Sequence, residues 1–247
     1  MEDPIFHVLC YCKNLSHPYS RLLSAPYQVK VVIADAHDLF RSLLKFWIES
    51  EPSIGLAAET GSGLEVHQLI KEHKADLLLM DPLIPERSGF DIARELSEDM
   101  PGLRMIAIYP EGKPYLVDQI QRSGFHGSVC KNSNTISTLK EAIENVQGGN
   151  AYFCAQTCRI QNILYNSNHS FAKLLSLREQ QILAYIGAGM DNEDIGTQLK
   201  LSPATVQTHR RNLFRKLGIH DTPSLMRYAI EQGFWTPGFD PSIHSTQ

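Results

Sequence analysis

From residue 29 onward, short apolar runs alternate with longer stretches in which apolar residues recur every three or four positions. The runs are VKVVIAD (29–35), IGLAAET (54–60), ADLLLMD (75–81), LRMIAIY (103–109) and GSVCK (127–131). Most are rich in Val, Ile and Leu, and turn-forming or polar residues bound them, which is how buried strands read. The intervening segments, such as HDLFRSLLKFWIES and GSGLEVHQLIKEHK, carry the spacing of amphipathic helices. Repeated strand-then-helix units predict a doubly wound α/β domain over residues 29–149, with a parallel five-stranded sheet covered on both faces. Gly148 and Gly149 mark the stop of its last helix.

The texture then changes. Residues 150–172 read as a linker with room for a short helix and a polar Asn/Ser cluster, and from 173 to 236 the apolar period is helical throughout. Four helices are punctuated at about 176–187, 192–199, 203–217 and 222–232. Ser176 with Glu179 forms a capping box, Ser202 precedes a first-turn Pro203, and Gly187, Gly189 and Gly218 close helices. A short helix, a tight turn at KLSP and a longer basic helix predict a helix-turn-helix. On the longer helix Val206, Leu213 and Leu217 share an apolar stripe, whereas Gln207, Thr208, Arg211 and Arg215 fall on outer faces. The fold class is α/β plus all-α, flanked by an extension (1–28) and a tail (237–247).

Composition adds exclusions. At 43% hydrophobic and 20% charged, the 247 residues suit globular domains. No apolar run approaches the roughly 20 residues that span a bilayer, and the first residues do not read as a secretion signal, so the chain is expected in the cytoplasm, away from membranes. Five cysteines without paired C-x-x-C knuckles support neither a disulfide framework nor a zinc site. The net charge of −4 conceals an asymmetry: residues 29–149 carry 12 basic against 18 acidic side chains, while 171–236 carry 8 against 6. Arg210, Arg211, Arg215 and Lys216 crowd one helix, so an acidic unit precedes a basic stripe that it could occlude.

Ligand sites of doubly wound sheets lie beyond the carboxyl ends of the strands. There the sequence places Asp35, Asp81, Tyr109 and Lys131. Two carboxylates and an ammonium suit phosphoryl transfer. Carboxylates bind a hard ion such as Mg²⁺, one of them can attack a phosphoryl donor, and the lysine neutralises charge developing on the phosphoryl oxygens.

These residues also carry a resemblance. VVIADAHDLFR, LLLMDPLIPERSGFD and GSVCK resemble the receiver domain of bacterial response regulators. LREQQIL, GMDNEDIGTQLKLSPATVQTHRRNLFRKLGI and LMRYAIEQG resemble the LuxR-type DNA-binding domain, and the combination is similar to the NarL/FixJ family. The resemblance implies a flavodoxin-like receiver with Asp81 as phosphoacceptor, Asp35 as a metal-binding acid and Lys131 as the phosphoryl partner. It also implies a Mg²⁺ cofactor held by Asp35 and Asp81, and a sensor histidine kinase as partner. In the second domain it implies double-stranded DNA as ligand, with Gln207, Thr208 and Arg211 on the base-edge face and Arg215 on the outer face beside it. Thr205, His209, Asn212 and Lys216 would meet phosphates, His209 being either packed or phosphate-facing. A homodimer would form through the last helix.

Three positions depart from the family pattern. Ala36 stands where a second acid is usual, which weakens the ion site. Tyr109 replaces the short hydroxyl that reports the phosphoryl group, and Ser128 replaces the aromatic switch residue. The expected function is a DNA-binding transcriptional regulator, not an enzyme, whose receiver takes an input that need not be phosphate. The competing reading is a partner-binding or phosphoacceptor signalling module in which DNA binding is secondary.

Overall fold

The computed structural model describes residues 28–236. Strands and helices alternate through β1 (Val29–Ala34), α1 (Asp38–Glu49), β2 (Ile54–Thr60), α2 (Val66–His73), β3 (Leu77–Met80), α3 (Gly89–Asp99), β4 (Arg104–Tyr109), α4 (Pro114–Arg122), β5 (Gly127–Cys130) and α5 (Ile136–Gln147). There follow β6 (Tyr152–Phe153), α6 (Ala155–Asn166), α7 (Phe171–Leu174), α8 (Leu177–Gly187), α9 (Asn192–Leu199), α10 (Pro203–Leu217) and α11 (Thr222–Gln232). All strand pairs are parallel, in the order β2-β1-β3-β4-β5-β6. The order reverses between β1 and β3, which opens a crevice at their carboxyl ends.

The alternation of side chains along each strand decides what each face buries. Val32, Leu78, Met80 and Met105 pack with Ile70, Ile92, Leu96 and Ile120 of α2, α3 and α4. Val31, Ile33, Leu77, Leu79 and Ile106 pack with Leu44, Ile48, Leu139 and Ile143 of α1 and α5. Both faces of β3, β4 and β5 and most of β1 are thereby dry, which is why those runs read as continuously apolar, while the edge strands β2 and β6 are half-buried.

Two expectations are corrected here. The sheet has six strands, not five, and the segment expected to be a linker is structured. Tyr152 and Phe153 extend the sheet beside β5, and Gly127 permits it, since a Cβ there would lie 2.7 Å from the Tyr152 carbonyl oxygen. The chain then enters the twelve-residue α6, which packs against α4 and β5.

A separate core gathers Ile182, Leu183, Tyr185, Ile186, Ile195, Val206, Leu213 and Leu225 from the later helices, with Phe234 from just beyond α11. Tyr115 of α4 reaches into it, stacked on Phe234 at 4.3 Å between centroids, while Phe171 meets Phe234 edge-on at 4.9 Å. Burial pushes the Tyr115 phenol up to about 12. Among the described residues no helix is long and apolar enough to cross a membrane.

Candidate functional site

Backbone hydrogen bonds set the strand ends that carry the predicted charges. The Asp81 amide donates to the Ala34 carbonyl (2.8 Å), and the Lys131 amide donates to the Tyr109 carbonyl (2.7 Å). Asp35 and Asp81 are 2% and 4% exposed. Lys131 Nζ lies between them, 2.5 Å from Asp35 Oδ2 and 2.7 Å from Asp81 Oδ2, and 4.6 Å from the centroid of the Phe40 ring. The other two carboxylate oxygens are engaged as well. Asp35 Oδ1 accepts from the His37 amide (2.9 Å) and lies 3.0 Å from His37 Nδ1, and Asp81 Oδ1 accepts from the Leu83 amide (2.9 Å). Burial pushes the Asp81 carboxyl above its ordinary value; Lys131 opposes the shift but does not cancel it.

Asp35, His37 and Asp81 each offer a ligand atom, all within 4.8 Å of one another, so the cluster can hold a cation. The fit to Mg²⁺ is poor in this arrangement. That ion favours octahedral oxygen coordination. Here one candidate donor is an imidazole nitrogen, Ala36 contributes none, and an ammonium already bridges the two carboxylates. His37 was missed in the sequence, although its place two residues after Asp35 was the available signal.

Tyr109 and Ser128 sit together in a second, fully buried group. Thr157 Oγ1 of α6 is 2.7 Å from Tyr109 Oη and 2.7 Å from Ser128 Oγ, and Cys154 Sγ is 3.6 Å from Tyr109 Oη. Burial pushes the Tyr109 phenol far above its ordinary value, so it remains a hydroxyl donor at any working pH. Two of the three positions expected to depart from the family pattern are thus joined through the helix that leaves the receiver. Nothing in the sequence pattern marked Thr157.

In the later helices the reading element is built as predicted. Asp191 caps α9 through the amides of Glu193 and Asp194, both at 2.9 Å, and Ser202 caps α10 through the amide of Thr205 (3.1 Å). The turn between them is tight, for a Cβ on Gly196 would lie 2.7 Å from the Leu201 carbonyl oxygen. Val206 and Leu213 are buried, while Thr205, Gln207, Thr208, Arg211 and Arg215 are exposed. The outer face of α10 is therefore open to solvent, and the occlusion by the acidic unit expected from charge is not what the structure shows. Arg211 donates to Thr208 Oγ1 (3.3 Å), and Arg215 donates to Asn212 Oδ1 (3.3 Å).

Two expected phosphate partners are placed differently. Lys216 Nζ donates to Glu179 Oε2 at 2.7 Å, and Glu179 is 3% exposed. Burial alone would raise the Glu179 carboxyl, but hydrogen bonds from Lys216 and Ser176 outweigh it and hold the carboxyl below its ordinary value. Lys216 is thus a structural counter-ion. His209 is half-buried, its Nδ1 enclosed without a partner, which matches the packed alternative.

Fold and sites together define a class: a receiver-type α/β unit followed by a helix-turn-helix unit. Comparison with known proteins gives the same pair. Residues 31–144 match the response regulator receiver domain, and residues 173–229 match the bacterial regulatory proteins of the luxR family, together more than half of the chain. The chain belongs to the NarL/FixJ family of response regulators, which are DNA-binding regulators rather than enzymes. The oxygen regulatory protein NreC of Staphylococcus aureus is 29% identical over 213 residues, covering 83% of this chain and 98% of that protein. Among solved structures, Salmonella typhimurium RcsB shares 18% identity at a TM-score of 0.56, over 83% of this chain and 99% of that one. A structure of two RcsB dimers bound to two parallel DNAs gives 0.58 at 18% identity, over 83% and 98%.

Proposed function

We propose that this regulator reads double-stranded DNA as a homodimer in the cytoplasm, through the outer face of α10, and that its receiver does not depend on phosphorylation of Asp81. The input unit is residues 29–149 and the DNA-reading unit 173–236. Gln207, Thr208 and Arg211 meet base edges, with Thr205, Asn212 and Arg215 beside them toward the backbone. The observation that carries the phosphate-independent reading is the Tyr109–Thr157–Ser128 hydroxyl group. A phosphoryl group shifts a receiver only as far as it binds two conformations differently. Here the side chains that replace the usual reporters, Tyr109 and Ser128, are committed to α6.

The charge site supports the same reading. Lys131 and the Leu83 amide each hold one oxygen of Asp81, which makes both poorer nucleophiles, and Mg²⁺ would have to compete with the ammonium. A sensor histidine kinase would therefore phosphorylate Asp81 slowly and with little effect on DNA affinity. The test is incubation with acetyl phosphate and Mg²⁺, read by intact mass and by duplex DNA affinity. No gain in affinity is expected. A tenfold gain, about 1.4 kcal/mol of coupling, abolished by Asp81→Asn, overturns this reading and makes Asp81 the switch.

A further inference from the structure

Gln207 does not stand alone on the open face of α10. Asn192, the first residue of α9, donates from Nδ2 to Gln207 Oε1 at 2.7 Å. The segment that carries Asn192 is held firmly. Asp191 caps α9 through two amides, and Arg210 of α10 donates to the Met190 carbonyl at 3.0 Å. The direction of the amide contact follows from burial. Asn192 Oδ1 is enclosed without a partner; turning the amide would enclose an N–H₂ group instead, and orphaned buried N–H groups are rarer than under-satisfied carbonyls.

We infer that Asn192 is a positioning residue for DNA recognition: by donating to one lone pair of Oε1 it turns the carbonyl of Gln207 toward α9 and leaves the Nε2 amino group as the outward end of the amide, so Gln207 favours hydrogen-bond acceptors. This rests on the proposal that α10 reads base edges. A free glutamine can bridge adenine, accepting from N6 and donating to N7. With Oε1 turned toward Asn192, its remaining lone pair is poorly placed for adenine N6 and that bidentate contact is disfavoured. The bases whose major-groove polar atoms are all acceptors are guanine (O6 and N7) and thymine (O4). Gln207 therefore prefers guanine or thymine over adenine, whose N7 acceptor is flanked by an amino donor.

An aspartate at position 192 reverses the polarity. A carboxylate only accepts, so it takes the Gln207 Nε2 amino group and turns Oε1 outward, toward the amino groups of adenine N6 or cytosine N4. An acid in the first turn suits the helix N-terminus, so α9 is retained. Added repulsion from DNA phosphates weakens binding to every sequence alike and cancels in a comparison of preferences.

The experiment selects bound duplexes from a randomised library with the full chain as wild type, Asn192→Asp and Gln207→Ala. Melting temperatures serve as the folding control. The wild type is expected to enrich guanine or thymine at one position, Gln207→Ala to lose that preference, and Asn192→Asp to shift it about tenfold toward adenine or cytosine. An unchanged preference in Asn192→Asp, with Gln207→Ala altered, overturns the inference and leaves the reading face standing. An unchanged preference in Gln207→Ala overturns the assignment of Gln207 and the inference with it. No sequence enrichment by the wild type overturns the reading of α10 itself.

Discussion

Replacing Thr157 by valine keeps the shape of the side chain and removes the one atom that joins Tyr109 to Ser128. Thr157 is fully buried, so no water can take the place of its hydroxyl. Ser128 Oγ, also fully buried, loses its 2.7 Å partner, while Tyr109 Oη keeps only the Cys154 sulfur at 3.6 Å. Leaving a buried polar group without a partner costs about 1–3 kcal/mol. With one group orphaned and one weakly paired, Thr157→Val is expected to lose about 2–4 kcal/mol in all. For a chain of this size that lowers the melting temperature by about 5–15 °C. Trypsin should also cut faster at Arg159 on α6, since the pinned turn opens more often.

The control is the triple variant Tyr109→Phe, Ser128→Ala, Thr157→Val. Removing all partners of a buried network can be nearly neutral, whereas removing one is not. The triple variant is therefore expected to be more stable than Thr157→Val alone. A single variant that melts within about 1 °C of wild type, or a triple variant that melts below the single one, refutes the reasoning: the hydroxyls would then not hold α6 in place.

Asp81→Asn should raise the melting temperature. Two buried carboxylates share one ammonium, so neutralising one relieves a surplus charge, a gain on the order of 1 kcal/mol. Because the folded Asp81 carboxyl lies above its ordinary 3.8, it disfavours folding most above its folded value. The gain should therefore be full at neutral pH and shrink as pH falls toward 4, as paired melts will show. Lys216→Ala should destabilise by about 1–3 kcal/mol by leaving the buried Glu179 carboxylate without its counter-ion, held by the Ser176 amide alone. The lowered Glu179 carboxyl contributes stability above its ordinary 4.5 that is lost as pH falls through its folded value, so the deficit of Lys216→Ala in denaturant titrations should narrow in acid. Arg211→Ala should lose about 1–3 kcal/mol on a selected site and relax preference there, measured by titrating matched and mismatched duplexes; an unchanged ranking of sites counts against the reading face.

The β1 to β5 pattern was legible because β1, β3, β4 and β5 are buried on both faces over most of their length and read as apolar runs, while the half-buried edge strand β2 still carries Ile54, Leu56, Ala57 and Ala58. β6 was not, since two half-buried residues carry no period, and α6 hid because AQTCRIQNILYN mixes polar and apolar residues and buries only Thr157 and Leu164. The four later helices were legible to within a residue or two, because Ser176, Ser202 and Gly218 punctuate them. At the charge site the strand ends announced Asp35, Asp81 and Lys131, since topology alone brings strand ends together. Pairings that depend on side-chain reach across many residues were illegible. Lys216 with Glu179 spans 37 positions, Thr157 with Tyr109 spans 48 and Asn192 with Gln207 spans 15. In each case one partner looked like an ordinary surface polar residue.

The open face of α10 changes what the receiver has to accomplish. If the acidic unit covered the basic helix, an input would need only to separate two units. Here Gln207, Thr208, Arg211 and Arg215 are exposed as the structure stands, so on the proposed reading an input has no buried face to uncover and would act on geometry that DNA senses indirectly, such as the placement of two reading helices on two half-sites. Contacts that could carry such a change are present. Tyr115 of α4 stacks on Phe234 just beyond α11, α11 packs on α8, and Glu179 of α8 holds Lys216 of α10. Contiguity alone is not coupling, which requires an element with two arrangements that both ends bias. The best placed element is α4: its apolar side is set into the receiver core through Leu116 and Ile120, and Tyr115 is set into the other core. Moving it must disturb both cores at once. That makes α4 a stiff joint, and a stiff joint favours an input that repositions whole units over one that toggles a single loop.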